Sequence, residues 1–536
     1  MTGRPALLHF VYRIPRMRWL WLAGCLALRA PAVAQEPLPP PPMPVQAPSA
    51  TASPDPNVEV LTRGPMHEAY AMPVTDTTGA GLVVPKRPPN PIEEQAPDVK
   101  PQGEGAIWIP GYWSWDDDRK DFIWISGVWR VPPLGQRWVP GYWQEGQGEW
   151  HWVSGYWMSN TKAEAVYMPK PPATVEQGPT SPAPSESNFW VPGHWRWAGD
   201  RYVWVPGYWA VSRPNLVWVY PTYSWTPRGW VYCEGYWDYP LEQRGLLFAP
   251  VYFPQPVVYY RPAVCVDVGI VTGSLFCRPV YHHYYFGDYY ADGYVAIGIH
   301  PWFVYCGPRH GYDPLFCYYR AYYHHRDPHW ESHLRGWHDY YRAHPNMRPP
   351  HTLADQQRLL ADPRSKDRPD SRNLAVGRPV GQLKDGAGGP IRVQPVSANQ
   401  RAAVQQSAKQ LTSLRNERSQ MESQGRAGGV GRLSGATAPA KPDHVNMSRL
   451  PSFQPTATRM PNASAQARST QQRAPRSSNA PGDQDRAEGQ GRQDFPSRSE
   501  FQSRSDFQSR SDFPSRSDFP SRQGGGPGGR SMRGGR

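Results

Sequence analysis

Among residue types able to do chemistry, histidine comes first: 11 of the 16 histidines lie between His282 and His351, and His325, His329 and His333 recur at every fourth position. Asp327-Pro328 between them suits a helix cap and first turn, after which His329 and His333 share one helix face. That trio is a candidate Zn or Cu site, but such metals need at least a third ligand of defined placement, and a metalloprotease helix carries Glu directly after its first His. Trp330 stands there instead. The same spacing predicts an ordinary amphipathic helix that buries Trp330, Leu334, Trp337 and Tyr341, so no metal or other cofactor is expected.

The carboxylates offer no clearer chemistry. Asp116, Asp117 and Asp118 cluster at a turn between two repeats, where a solvated loop is expected over a general acid/base pair. The sequence has no phosphate-binding glycine loop, no nucleotide-binding glycine fingerprint, no G-x-S-x-G elbow, no Cys-x-x-Cys and no His-Glu-x-x-His. An enzyme is not expected.

Aromatic surface remains, and it is concentrated. Nineteen of the 24 tryptophans lie between Trp108 and Trp237, so the apolar burial that a core requires is centred there. The motif W-x-x-G-x-W starts at Trp108, Trp124, Trp138, Trp152, Trp190 and Trp204, mostly 14 residues apart; a degenerate copy runs from Trp230 to Trp237, and the copy at Trp218 lacks its glycine. Self-similarity of this kind dictates architecture. Residues 190–209 are nearly palindromic about Gly199-Asp200. A two-residue loop there pairs Trp197 with Tyr202, Trp195 with Trp204 and Trp190 with Trp209. Pro206 then faces Gly193 and Pro192 faces Gly207, so each missing N–H lies opposite a residue that tolerates a bulge. Aromatic cross-strand pairs contribute about 0.2–1 kcal/mol each beyond burial. The rival is that Pro-Gly itself turns the chain and pairs Trp138 with Trp143. A type II turn twists against a hairpin, which favours a meander of one strand and one turn per repeat. Both readings give antiparallel sheet. In the first, Trp195, Trp197, Tyr202 and Trp204 form a row able to stack on sugar rings or peptide, unless such rows pack on one another or on a second sheet.

These motifs closely resemble the YXWGXW (WXXGXW) repeat family of exported bacterial proteins, over roughly residues 100–240. The resemblance implies export and a repeat-built body, and assigns no reaction.

The flanks read differently. Arg4, Arg13, Arg16 and Arg18, an apolar run from Trp19 to Leu28 and Ala32-Val33-Ala34 predict an export signal over 1–34. Leu22-Ala23-Gly24-Cys25 also resembles a lipoprotein box, so lipidation of Cys25 stays open. The run falls short of the roughly 20 residues a bilayer needs, so no transmembrane span is expected after signal cleavage. Residues 35–106 and 159–188 are predicted Pro-rich linkers. They flank a first repeat block at 107–158 and precede a second at 189–245. Residues 246–345 are expected to form short aromatic strands ending in a short helix. In an oxidising compartment Cys265 with Cys277 and Cys306 with Cys317 are disulfide candidates, leaving Cys233 free; all five partly reduced is the alternative.

Residues 346–536 are predicted to be a disordered basic tail. From Leu353 onward Lys and Arg outnumber Asp and Glu by 30 to 16, against 28 to 29 in the remainder. Two weak helices suggest themselves, Leu353 to Ala361 and Ala398 to Gln424, both without a strong apolar face. A hexapeptide, acid-Phe-x-Ser-Arg-Ser, recurs from Asp494, Glu500, Asp506, Asp512 and Asp518. The tail suits contact with polyanions; export argues against nucleic acid. The sequence thus predicts an all-β ordered part between long disordered ends. The function expected is that of a non-enzymatic structural or scaffolding protein of the bacterial cell envelope, in the periplasm, at the outer-membrane surface or outside the cell. Its partners would be envelope polymer or other envelope proteins. A glycan- or peptide-binding module and a His-rich metal-handling protein are the alternatives.

Overall fold

The W-x-x-G-x-W copies do not act singly. In the computed structural model, which describes residues 57–74, 81–103, 105–146, 148–307, 311–324, 326–384, 392–424 and 443–446, consecutive copies pair in twos as four long hairpins. Hairpin 1 joins Ile107–Ile109 to Val128–Arg130 and Tyr112–Asp116 to Asp121–Ile125. Hairpin 2 joins Gln136–Val139 to Tyr156–Ser159 and Tyr142–Glu145 to Trp150–Val153. Hairpin 3 joins Asn188–Val191 to Tyr208–Val211 and His194–Trp197 to Tyr202–Val205. Hairpin 4 joins Val217–Val219 to Tyr236–Asp238 and Thr222–Thr226 to Gly229–Cys233.

The palindrome is obeyed: Trp190 faces Trp209, Trp195 faces Trp204 and Trp197 faces Tyr202. Ala198 N–H donates to Arg201 O at 2.8 Å across the tip, with Gly199 at a φ of +87°, a conformation glycine adopts without steric cost. Pro-Gly is not the turn, since Trp138 faces Trp157 and Trp143 faces Trp152. A continuous meander is not formed either. Each pair of copies closes on itself, and the sheets are small, of two to four strands, and antiparallel apart from Tyr259–Tyr260 beside Glu93–Glu94.

The reason lies at the glycines. A Cβ on Gly127 would stand 2.6 Å from Trp108 Cζ2, and one on Gly111 2.7 Å from Trp124 Nε1. Equivalent clashes join Gly155 to Trp138, Gly141 to Trp152, Gly207 to Trp190 and Gly193 to Trp204, at 2.3–2.6 Å. The first indole of each copy therefore covers the glycine of its partner copy, and the cover is reciprocal. In four of these six copies proline stands just before the glycine and has no N–H to lose where the rings cross the ladder; Ser126 and Ser154 stand there in the other two.

The two blocks repeat at a larger scale. Val84 pairs with Trp150 beside hairpin 2, and Met168 with Trp230 beside hairpin 4. Each short strand is followed by a Pro-Lys extended segment and then by two hairpins. Within the first block Trp143 Nε1 donates to Trp113 O at 2.9 Å, and within the second Tyr223 Oη donates to Trp195 O at 3.1 Å. Trp113 and Trp195 hold the same position in hairpins 1 and 3.

Three expectations need correction. Residues 57–103 are not a spacer: Met66, Ala69 and Tyr70 are fully buried, and Tyr70 Oη donates to Leu241 O at 2.7 Å. Residues 164–188 likewise bind the second block. Proline content suggests a spacer, but carbonyls that no strand partner engages are acceptors for indole N–H groups.

Residues 353–384 and 392–424 are not a loose tail. Leu353–Ala361 and Ala398–Gln424 are helices at the predicted limits, and they dock. Leu411 and Leu414 are buried, Arg415 donates to Gly111 O at 3.1 Å, and Arg418 donates to Pro140 O and Ser154 O at 2.9 and 3.1 Å. Glu422 pairs with Arg418 at 2.9 Å and accepts from Tyr142 and Tyr167. A helix that buries a charged i,i+4 pair shows no apolar stripe. The hexapeptides and residues 1–56 lie outside the described residues.

Finally, the Tyr/His segment holds more than one helix. Trp330–Ala343 buries Trp330, Leu334, Trp337 and Tyr341 as predicted, but Pro314–His324, read as strand, is a helix that buries Leu315, Phe316 and Tyr319. Its tyrosines stack at i,i+4 spacing, Tyr318 on Tyr322 at 5.9 Å and Tyr319 on Tyr323 at 6.3 Å, which aromatic composition alone does not disclose.

After hairpin 4 the chain returns to cover hairpin 1. Gly245–Leu247 pairs with Val128–Arg130, and Val251 faces Trp124. Arg130 reaches Asp238 at 2.6 Å, and Arg244 reaches the same carboxylate at 3.1 Å, all three side chains being nearly inaccessible.

Candidate functional site

Hairpins 1, 2 and 3 point polar hydrogens away from their own ladders, and in each a carboxylate from outside the repeats collects some of them. In hairpin 1, Glu94 accepts from Gly111 N at 2.7 Å, Gly127 N at 2.9 Å and Trp124 Nε1 at 2.9 Å. In hairpin 2, Glu68 accepts from Trp152 Nε1 at 2.7 Å and Gly155 N at 3.0 Å. In hairpin 3, Glu176 accepts from Trp190 Nε1 at 3.1 Å and from Gly193 N. Charge-assisted bonds of this type are about twice as strong as neutral ones. Hairpin 4 has Pro221 where the others have glycine, and among the described residues the Trp218 and Trp230 indole N–H groups meet no acceptor.

Burial pushes the Glu68 and Glu94 carboxyls up to about 7 against the pull of these donors. His67 and His283, buried beside Glu68, are pushed down to about 3 and about 4 by the same loss of water. His283 Nε2 lies 3.6 Å from Glu68 and 3.1 Å from Tyr112 Oη. His67, Glu68, Tyr112 and His283 are all buried.

The aromatic row is different. Trp195 meets Trp204 edge-on at 5.2 Å and Trp197 meets Tyr202 at 4.9 Å, and all four rings are half-buried. Two of their polar atoms are used: Trp195 Nε1 donates to Ala173 O at 2.8 Å and Tyr202 Oη to Pro169 O at 2.5 Å, while Trp197 Nε1 meets no acceptor among the described residues. A small cleft beside them is lined by Pro171, Pro172, His194, Trp195, Trp204 and Tyr223 among others. The row thus faces an extended segment of its own chain as well as solvent.

The histidines converge less. His329 and His333 lie 6.1 Å apart, ring to ring, and His333 Nδ1 is 3.2 Å from Asp327 Oδ2. His325 lies outside the described residues, and among those described no three His, Cys, Asp or Glu side chains converge as a metal site. Asp117 and Asp118 are not simply solvated, since Arg278 and Arg63 pair with them at 2.6 Å.

The five described cysteines are thiols. Cys306 and Cys317 hydrogen-bond, whereas Cys265 and Cys277 belong to different apolar clusters and Cys277 Sγ approaches Asp313 at 3.7 Å. Similar sequence spacing therefore hides two unlike environments.

The repeat geometry agrees with a family comparison. A model of the WXXGXW repeat, two copies long, matches residues 107–130, 134–158 and 189–210. These three segments of the chain are WXXGXW repeats. The matched segments of this WXXGXW chain coincide with hairpins 1, 2 and 3, while hairpin 4, with its displaced glycine, falls outside them. No curated protein and no solved structure matches the chain.

Sequence reading found the row and missed the clamping glutamates. A signal existed: Glu94-Gln95-Ala96-Pro97 and Glu176-Gln177-Gly178-Pro179 are alike, and each glutamate precedes the first tryptophan of its block by 14 residues.

Proposed function

We propose that this WXXGXW protein is a non-enzymatic structural or scaffolding protein of the bacterial cell envelope, built to hold a stiff aromatic framework. The observation that carries the reading is the reciprocal tryptophan-over-glycine lock, repeated in hairpins 1, 2 and 3 and tied by glutamates that are buried in the first two and half-buried in the third. Such interlocking leaves few alternative packings, and dense interiors transmit strain without flowing. Envelope placement rests on the basic, apolar and small-residue order of residues 1–34. Among the described residues no helix is long and apolar enough to cross a membrane. Cell fractionation with N-terminal sequencing tests the placement. The expected result is an envelope or secreted protein beginning at Gln35, and recovery from cytosol with residues 1–34 intact overturns it.

A second reading, binding of a glycan or peptide by the row Trp195, Trp197, Tyr202 and Trp204, is favoured by one observation. These rings are half-exposed, whereas Trp124, the counterpart of Trp204 in hairpin 1, is 1 % exposed.

A further inference from the structure

Hairpin 3 holds residues 169–181 much as a receptor holds a peptide. Four aromatic donors address that segment: Tyr202 Oη to Pro169 O at 2.5 Å, Trp195 Nε1 to Ala173 O at 2.8 Å, Trp190 Nε1 to Glu176 Oε1 at 3.1 Å, and Trp209 Nε1 to Ser181 Oγ at 3.2 Å. Gly193 N adds a second bond to Glu176. The segment suits this mode of capture. Pro169, Pro171 and Pro172 have no N–H, so the chain cannot pair as a central strand there. It is held extended at low entropic cost and offers its carbonyls, which is how aromatic grooves read proline-rich ligands.

Part of the arrangement recurs, the indole-to-carbonyl bond and the glutamate on the first glycine N–H. In hairpin 1, Trp113 Nε1 donates to Asn90 O at 3.0 Å, and Glu94, four residues on, fills the clamp. The two guests share a pattern, Pro85-Lys86-Arg87-Pro88-Pro89 before Glu94 and Pro169-Lys170-Pro171-Pro172 before Glu176. Two guests of like composition in two like grooves define a preference.

The grooves differ in closure. Glu94 is 6 % exposed and the outer edge of hairpin 1 is paired by Gly245–Leu247. On hairpin 3, Pro172, Ala173, Thr174 and Val175 are exposed, and the described residues place no strand on its outer edge. Polar contacts hold that guest, with little burial.

We infer that the groove of hairpin 3 is a recognition site for extended, proline-rich peptide segments bearing a glutamate, with residues 169–181 as its resident and displaceable ligand. The inference rests on the row being a ligand surface and names its ligand class. A tethered guest competes at an effective concentration in the millimolar range, so a peptide from another chain binds the intact protein weakly and gains when the resident carboxylate is removed.

The test uses the full chain and a fluorescein-labelled peptide with the sequence of residues 169–181, read by anisotropy. Glu176→Ala is expected to bind it about tenfold more tightly than the unaltered chain. A peptide with Gln in place of its Glu loses most of that gain, and adding Tyr202→Phe weakens binding several-fold. No binding at millimolar peptide, or equal binding of the Glu, Gln and scrambled peptides, overturns the inference. Because Glu176→Ala is capable of disturbing the hairpin, the same peptide carrying a photo-crosslinker at the Val175 position is also applied to the unaltered chain. Crosslinks confined to residues 188–211 support the site, and crosslinks spread evenly over the chain overturn it. A β-1,4-linked N-acetylglucosamine hexamer runs in parallel: sugar binding without peptide binding sinks the inference alone, and failure of both probes sinks the ligand reading of the row as well.

Discussion

Hairpins 1 and 3 come from the same repeat, keep the same register and hold the same kind of guest, yet one is core and the other rim. In hairpin 1, Ile123 and Val128 are 1 % and 0 % exposed; at the matching positions of hairpin 3, Val203 and Tyr208 are 44 % and 51 % exposed. Nothing inside the hairpins accounts for the difference. It comes from the partners of the first block: Gly245–Leu247 along its edge, Glu59–Val60 beyond Val251–Tyr252, and the helix Ala398–Gln424 across it. The repeat specifies a hairpin, and its surroundings decide whether that hairpin supports the fold or meets a ligand.

The sharpest way to break the contrast is to cut the tie between the blocks. Asp238→Ala leaves Arg130 and Arg244 buried without their counter-ion, and breaking a buried pair from one side costs about 3–5 kcal/mol. Urea unfolding should show a loss of that size, and a loss below about 1 kcal/mol would mean that the blocks are joined by something else.

Next comes the same truncation made on both hairpins. Trp129 and Trp209 are counterparts, each facing the first tryptophan of its hairpin. Trp129→Ala, at 1 % exposure, should cost about 4 kcal/mol, and Trp209→Ala, half-exposed, about half as much. Equal losses would erase the distinction between core and rim.

The smallest effect is one of pH. Because burial raises Glu94 to about 7 from an ordinary 4.5, its stabilising share is complete below about pH 4.5 and is lost as the pH rises through 7. Relative to Glu94→Gln, the unaltered chain should lose up to about 3 kcal/mol between pH 5 and pH 8. Parallel melting curves for the two proteins across that range would refute the shift.

The hairpins were legible from the sequence because cross-strand pairing of aromatics is a local, period-two relation: the pairs Trp190–Trp209, Trp195–Trp204 and Trp197–Tyr202 could be read from one palindrome. The buried face of Trp330–Ala343 was legible for the same reason at period 3.6. What could not be read depended on distant partners. Arg418 and Glu422 look like solvated tail charges until Pro140 O, Ser154 O, Tyr142 and Tyr167 surround them. Glu94 and Glu176 look like linker acids because the N–H groups they serve lie about 15–35 residues away in sequence. Cys306 and Cys317 meet while Cys265 and Cys277 do not, a difference set by which cluster each strand enters.

The mutual cover of ring and glycine also constrains how this molecule can change in length. One copy alone would leave an indole with nothing beneath it and a glycine with nothing above, so a single insertion or deletion leaves an orphan on each side. Growth and shrinkage should proceed by whole couples. Hairpin 4 shows a couple altered on one side only: Trp218 still covers Gly235, while Pro221 stands where its own copy would carry glycine.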